Sequence, residues 1–340
     1  MINTAFKKIF LCFLVIITAQ SHAYSRNQVK AVGSSTVFPF VTTASEVFSS
    51  KSSHKAPIIE STGTGGGFKI FCQGKGVSFP DLSNASRPIK DSEKKLCASN
   101  GINDITEIKI GYDGIIIANN INKPAFKLTR KDIFLALAKN VPVNGKIVAN
   151  PYNKWSDINP KLPNQKIYVY GPPPTSGTRD AFVELVMHKA CDKFAEFKGQ
   201  YPDKKTRHKA CSIIREDGKY AEAGENDNII INKLDNNQEA LGIFGFSFLE
   251  ENASKIHPAT VDGQEATFEN ISSGVYPISR SLFVYVKTAH YNQVSSLKPF
   301  IKELISDDAI GEFVYLTEKG LIPLKNSELA EVQKSVRAGF

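Results

Sequence analysis

Ala31-Val32-Gly33-Ser34-Ser35-Thr36 closes a short apolar run with a glycine and three small hydroxyl residues, and Pro39 follows where a helix would begin. A β-branched run, a tight turn and a proline in the first helical turn spell strand, loop and helix. The same grammar occurs twice more. Ser61-Thr62-Gly63-Thr64-Gly65-Gly66-Gly67 leads into Phe68-Lys69-Ile70-Phe71, and Thr175-Ser176-Gly177-Thr178-Arg179-Asp180 leads into the segment 181–190.

Around these turns, Val29 to Gly33, Pro57 to Ser61, Ile108 to Ile110, Gly114 to Ala118, Lys166 to Tyr170, Ala240 to Phe244 and Ser281 to Lys287 read as strands. Val41, Ala44 and Phe48 mark one helix face, Ile133, Ala136 and Leu137 a second, and Phe182, Leu185, Val186 and Lys189 a third. Strand alternating with helix predicts an α/β fold with mostly parallel sheets. No repeat or low-complexity linker interrupts it. The best break between domains is Gly111-Tyr112-Asp113-Gly114, where two glycines bracket a gap between apolar strands, with a return at Ser273-Gly274-Val275-Tyr276-Pro277. Residues 113–274 would then be inserted in a domain made of 24–112 and 275–340, and the two crossings would act as a hinge.

At the start of the chain, Lys7 and Lys8 precede the apolar run Ile9 to Ala19 and the stretch Ser21-His22-Ala23. This is the pattern of a secretory signal cleaved after Ala23. The apolar run falls well short of the roughly 20 residues that cross a bilayer. Cys12 would leave with the signal, and 317 of the 340 residues would remain, enough for two domains. Removal of Lys7 and Lys8 lowers the formal charge from +8 to +6. The lysines are spread without an aromatic-interleaved basic stripe, so nucleic acid is not an expected partner.

Cys72, Cys97, Cys191 and Cys211 form an even set in an exported chain and are expected as disulfides. Of three connectivities, Cys72 with Cys97 and Cys191 with Cys211 is favoured because it closes two local loops, each worth roughly 3 kcal/mol in the chain-entropy picture. Zinc is disfavoured, since there is no C-x-x-C pair and the histidines are scattered. Neither a metal nor a cofactor is expected.

Each hydroxyl-rich turn leaves backbone N–H groups unpaired at a helix start, with the positive end of the helix dipole behind them. Glycine admits a ligand close to the backbone and Ser or Thr adds uncharged donors, so an oxyanion fits there. One such turn alone is an ordinary N-cap. Three, spread over both proposed domains, point to a shared anion. Arg87, after Asn84-Ala85-Ser86, and Arg179, after Thr178, supply forked donors suited to phosphate or carboxylate, although each could instead form a structural ion pair. Enzyme motifs fail. Gly63 to Lys69 lacks the second glycine of a phosphate loop or dinucleotide fingerprint, where Phe68 stands, and Ser176 lacks the nucleophile-elbow context.

The runs V-G-S-S-T-V-F-P at Val32 to Pro39, E-S-T-G-T-G-G-G-F-K at Glu60 to Lys69, N-A-S-R at Asn84 to Arg87 and G-P-P-P-T-S-G-T-R-D-A-F at Gly171 to Phe182 resemble the periplasmic phosphate-binding proteins of ABC phosphate importers. I-G-Y-D-G-I at Ile110 to Ile115 and G-I-F-G-F at Gly242 to Phe246 are similar too. The resemblance implies a two-lobed Venus-flytrap receptor of type II, each lobe a mixed, mostly parallel sheet flanked by helices and joined by two hinge segments. It implies a periplasmic monomer that holds inorganic phosphate in the cleft, performs no chemistry and delivers the ion to membrane permease subunits. Thr36 and Val37 match the first phosphate loop with Ser35 beside them, Thr64 the second with Gly65, Ser86 the fourth with Arg87, and Ser176, Gly177 and Thr178 the third.

Two positions depart from the family pattern. Arg87 stands where an aspartate follows Ala-Ser, and Pro172 where an arginine precedes S-G-T, with Arg179 after the motif instead. The missing aspartate would accept a phosphate proton and so reject fully ionised sulfate. Asp113 at the hinge, or Asp180, is expected to replace it. Competing readings are a receptor for sulfate or molybdate, an exported phosphatase and an adhesive surface protein.

Overall fold

The computed structural model describes residues 26–340 apart from 175, 225 and 226. The expected signal segment, Cys12 and Thr175 of the third turn lie outside the described residues. Nine strands form one sheet: β1 Lys30–Gly33, β2 Ile58–Ser61, β3 Leu82–Ala85, β4 Ile105–Asn120, β5 Val169–Gly171, β6 Tyr220–Glu222, β7 Leu241–Gly245, β8 Ile256–Pro258 and β9 Ser279–Lys287. Their order is β2-β1-β3-β9-β4-β7-β5-β6, with β8 also on β4. The sheet is mixed. Parallel pairing joins β1 to β2 and β3, and β5 to β7 and β6, whereas β9, β7 and β8 run antiparallel to β4. The parallel neighbours are linked through helices, as parallel strands require.

The two apolar runs on either side of Gly111–Gly114 are not separate strands. β4 is continuous over 16 residues. Its first part, Ile105–Gly114, pairs with β9, and from Ile115 onward it pairs with β7. The glycine-rich stretch is a β-bulge, where Leu282 faces Gly111 but Phe283 faces Lys109. A bulge bends and twists a strand without ending it. The strand survives because a partner is present along its whole length. Beside it, the return segment joins the sheet where the Ile115 N–H donates to the Ile278 carbonyl at 3.0 Å.

Helix α1, Phe38–Lys51, buries Phe40, Val41, Ala44 and Phe48 against the sheet, as its 3-4 spacing predicts. Helix α2, Thr64–Phe71, crosses the end of β1 so closely that a Cβ on Gly67 would lie 2.4 Å from the Gly33 Cα. Only glycine permits that approach. Helix α3, Asp91–Ser99, is tied to the end of α2 by the Cys72–Cys97 disulfide. Helix α4, Gly177–Phe182, runs directly into a π-helical segment, Val183–His188, and a last turn, Lys189–Cys191. Cys191 pairs with Cys211 at the end of α5, Lys204–Cys211, so both disulfides connect in sequential order.

Candidate functional site

A cleft of about 390 Å³ opens where the starts of α1, α2 and α4 converge on the bulged part of β4 and β9. Ser35 and Thr36 come from the first turn, Thr64 from the second, and Ser86 from the end of β3, all on its wall. Thr64 Oγ1 accepts from the Ser86 N–H at 3.2 Å and lies 3.1 Å from Ser86 Oγ, so two turns share one hydroxyl pair. From across the cleft the Asp180 carboxylate accepts a hydrogen bond from Ser35 Oγ. Thr36 Oγ1 donates to the Gly177 carbonyl at 3.4 Å. A Cβ on Gly177 would sit 3.0 Å from the Thr36 Cα, so the two sides touch backbone to backbone.

The central charge is one that the sequence did not reveal, Arg280, at the second position of β9. Its side chain is only 7% exposed. Nε donates to Asp113 Oδ2 at 3.2 Å, Nη1 to Ser86 Oγ at 3.1 Å and to Glu184 Oε2 at 2.7 Å, and Nη2 to Thr36 Oγ1 at 2.6 Å. Arg280 and Asp113 are direct cross-strand partners on β9 and β4. Burial holds the Asp113 carboxyl above the usual carboxylate range, even though the Arg280 guanidinium pulls the other way.

The structure places several of the expected residues away from the cleft wall. Asp113 does not line the cleft; it lies behind Arg280 and orients it. Arg87 is also off the wall, because its guanidinium forms a two-pronged bond to Glu93 at 2.9 and 2.7 Å and thereby braces the start of α3. Arg179 borders the cleft, but its side chain turns back along α4. Nη1 donates to the Pro172 carbonyl at 3.1 Å, and the guanidinium lies 4.8 Å from the centre of the Tyr220 ring. The Tyr220 hydroxyl donates to the same carbonyl at 2.7 Å, and burial pushes its pKa up to about 12. Val37 is fully buried at the start of α1, and Gly65 faces outward from α2. Ser176 acts as a helix cap, its hydroxyl accepting from the Thr178 N–H at 3.2 Å.

The π-helical segment adds Val183, Glu184 and His188, with Ser212 beside them. His188 Nε2 lies 2.8 Å from Ser212 Oγ, and its ring stacks on His208 at 4.1 Å. Burial, reinforced by the neighbouring His208, lowers the His188 pKa to about 4. Ser212 Oγ donates to the His208 carbonyl at 2.7 Å, leaving a lone pair to accept from His188. A serine so arranged is not an activated nucleophile.

Helix starts and a buried guanidinium around a cleft astride a shared strand define an α/β periplasmic binding protein. The model of the PBP superfamily domain matches residues 18–308. A curated relative, "Phosphate-binding protein PstS" of Staphylococcus saprophyticus, is 30% identical over 318 residues, covering 91% of this chain and 84% of its own. "Protein SphX" of Synechococcus elongatus is 31% identical over 273 residues, 78% of this chain and 70% of its own. Among solved structures, a "possible phosphate binding protein" from Planctomyces limnophilus superposes with a TM-score of 0.74 at 27% identity, covering 93% of this chain and 99% of its own. A "Putative Phosphate ABC Transporter Substrate-Binding Protein with Bound Phosphate" from Clostridium perfringens gives 0.51 at 25% identity, over 88% of this chain and 100% of its own. The chain belongs to the PstS-type phosphate-binding proteins of the PBP superfamily.

Proposed function

We infer that this chain captures inorganic phosphate in the cleft and delivers it to the permease of an ABC phosphate importer, without chemical turnover. The observation that carries this reading is the bed of Arg280, a buried guanidinium held among the hydroxyls of Thr36 and Ser86, where a desolvated tetrahedral anion meets charge and neutral donors together. Ser35, Thr36, Thr64 and Ser86 form the donor wall, and Arg280 takes the role first given to Arg87 and Arg179. Asp180 is better placed than Asp113 to accept the phosphate proton, because it borders the cleft directly. In this reading lobe I comprises residues 24–112 and 275–340 and lobe II residues 113–274, which close about the bulge of β4 and the segment 273–277. The protein is extracytoplasmic. Cleavage after Ala23 would release it as a periplasmic monomer.

Calorimetric titration of the purified protein with phosphate, arsenate and sulfate tests this. Phosphate and arsenate share shape and protonation, so both should bind while sulfate binds far more weakly. Sulfate binding at the strength of phosphate would convert the assignment to a general oxyanion receptor, and no binding of any of the three would overturn it.

A further inference from the structure

A guanidinium carries five N–H donors in a fixed fork. Around Arg280 the protein itself supplies four acceptors. Asp113, Ser86 and Thr36 lie on the same side as Arg280 and form its permanent bed. Glu184 differs. It reaches Nη1 at 2.7 Å from the π-helical segment across the cleft, and its side chain is 58% exposed while that of Arg280 is 7% exposed. A carboxylate that approaches the cleft-facing edge of a buried arginine from the opposite wall does what an incoming oxyanion must do. Helix geometry brings it there, since Glu184 stands four residues after Asp180 and so on the same face, which lines the cleft.

We propose that Glu184 sets the affinity of the site: it is a tethered anion that holds Arg280 while the cleft is empty and is displaced when a free oxyanion enters. The proposal rests on the cleft being the anion site. Because Glu184 itself is exposed to solvent and salt, its hold on Arg280 attenuates binding without blocking it. Displacement does not depend on whether the incoming anion carries a proton, so phosphate and sulfate should both be held back by the same factor. Had Glu184 instead accepted a phosphate proton, its removal would weaken phosphate selectively.

The sign of the effect therefore decides. Calorimetric titrations of wild type, Glu184→Gln and Glu184→Ala with phosphate and with sulfate, at low and high salt, should show both variants binding each anion roughly two- to fivefold more tightly at low salt. That gain should shrink as salt is added. Equal or weaker phosphate binding in both variants, with wild type binding normally, would overturn the role of Glu184 alone. Failure of the wild type to bind any oxyanion would overturn the reading of the cleft, and this proposal with it.

Discussion

Two arginines border the cleft, and their surroundings assign them different work. Arg280 is fixed by acceptors that also face an anion, whereas Arg179 fastens the Pro172 carbonyl and covers the Tyr220 ring. Arg280→Ala should weaken phosphate binding by about 30-fold or more, since losing one member of a buried charge pair costs about 2 to 5 kcal/mol. Arg179→Ala should instead lower the melting temperature of the ligand-free protein and change affinity much less. Calorimetry with thermal melts on both variants checks this; the reverse pattern would return the anion to Arg179. The hydroxyls of the first two turns were legible in sequence because Gly, Ser and Thr at helix starts carry their own signal. Arg280 carried none. It sits in S-R-S-L-F, the start of an ordinary strand, and only the cross-strand register with Asp113 turns it into a site residue. The ion pair of Arg87 was left open in sequence for a similar reason, because its partner Glu93 lies in a helix that the apolar pattern does not announce.

Most strands with an apolar run were read in place, but the helix Leu297–Leu304 was missed despite its apolar spacing, and elements without such a pattern were lost. β3 is Leu82-Ser83-Asn84-Ala85, fully buried yet half polar, so neither alternation nor an apolar run marks it. The two runs on either side of Gly111–Gly114 were read as separate strands, because a bulge and a break look alike in sequence. The third helix was found, but its π-helical segment, which carries Glu184 and His188 on the cleft, was not. This segment carries a testable pH dependence. The His188 pKa falls from an ordinary value near 6.5 to about 4 because burial and His208 resist its charge. Above the unfolded value both states are neutral and His188 adds no pH dependence; as pH falls from about 6.5 to about 4 the unfolded state gains a proton that the folded state refuses, and stability is lost. Thermal melts across that range should fall more steeply for wild type than for His188→Gln, and parallel curves would show that His188 does not titrate in this way.

The molecule as a whole is shaped by contact between its two sides. Gly177 meets the backbone of Thr36, so a larger side chain there should hold the cleft apart while leaving each side folded. Gly177→Val is expected to weaken phosphate binding roughly tenfold or more, on the scale of overpacking a close contact. X-ray scattering with saturating phosphate should find the variant more extended than wild type; equal compaction would show that closure does not need that approach. The strand that runs through Gly111–Gly114 was not legible in sequence, since its glycines and its bulge look like a gap between two strands. That strand and its partner also constrain when the protein can fold. β9, residues 279–287, lies between β3 and β4 in the middle of the sheet, although it is the last strand to be synthesised. Until it emerges, β3 and β4 have no neighbour between them, and the earlier strands cannot assemble into a finished sheet. A nascent chain arranged in this way can pair each half of the sheet as it emerges, but it cannot join the two halves until synthesis has passed Lys287.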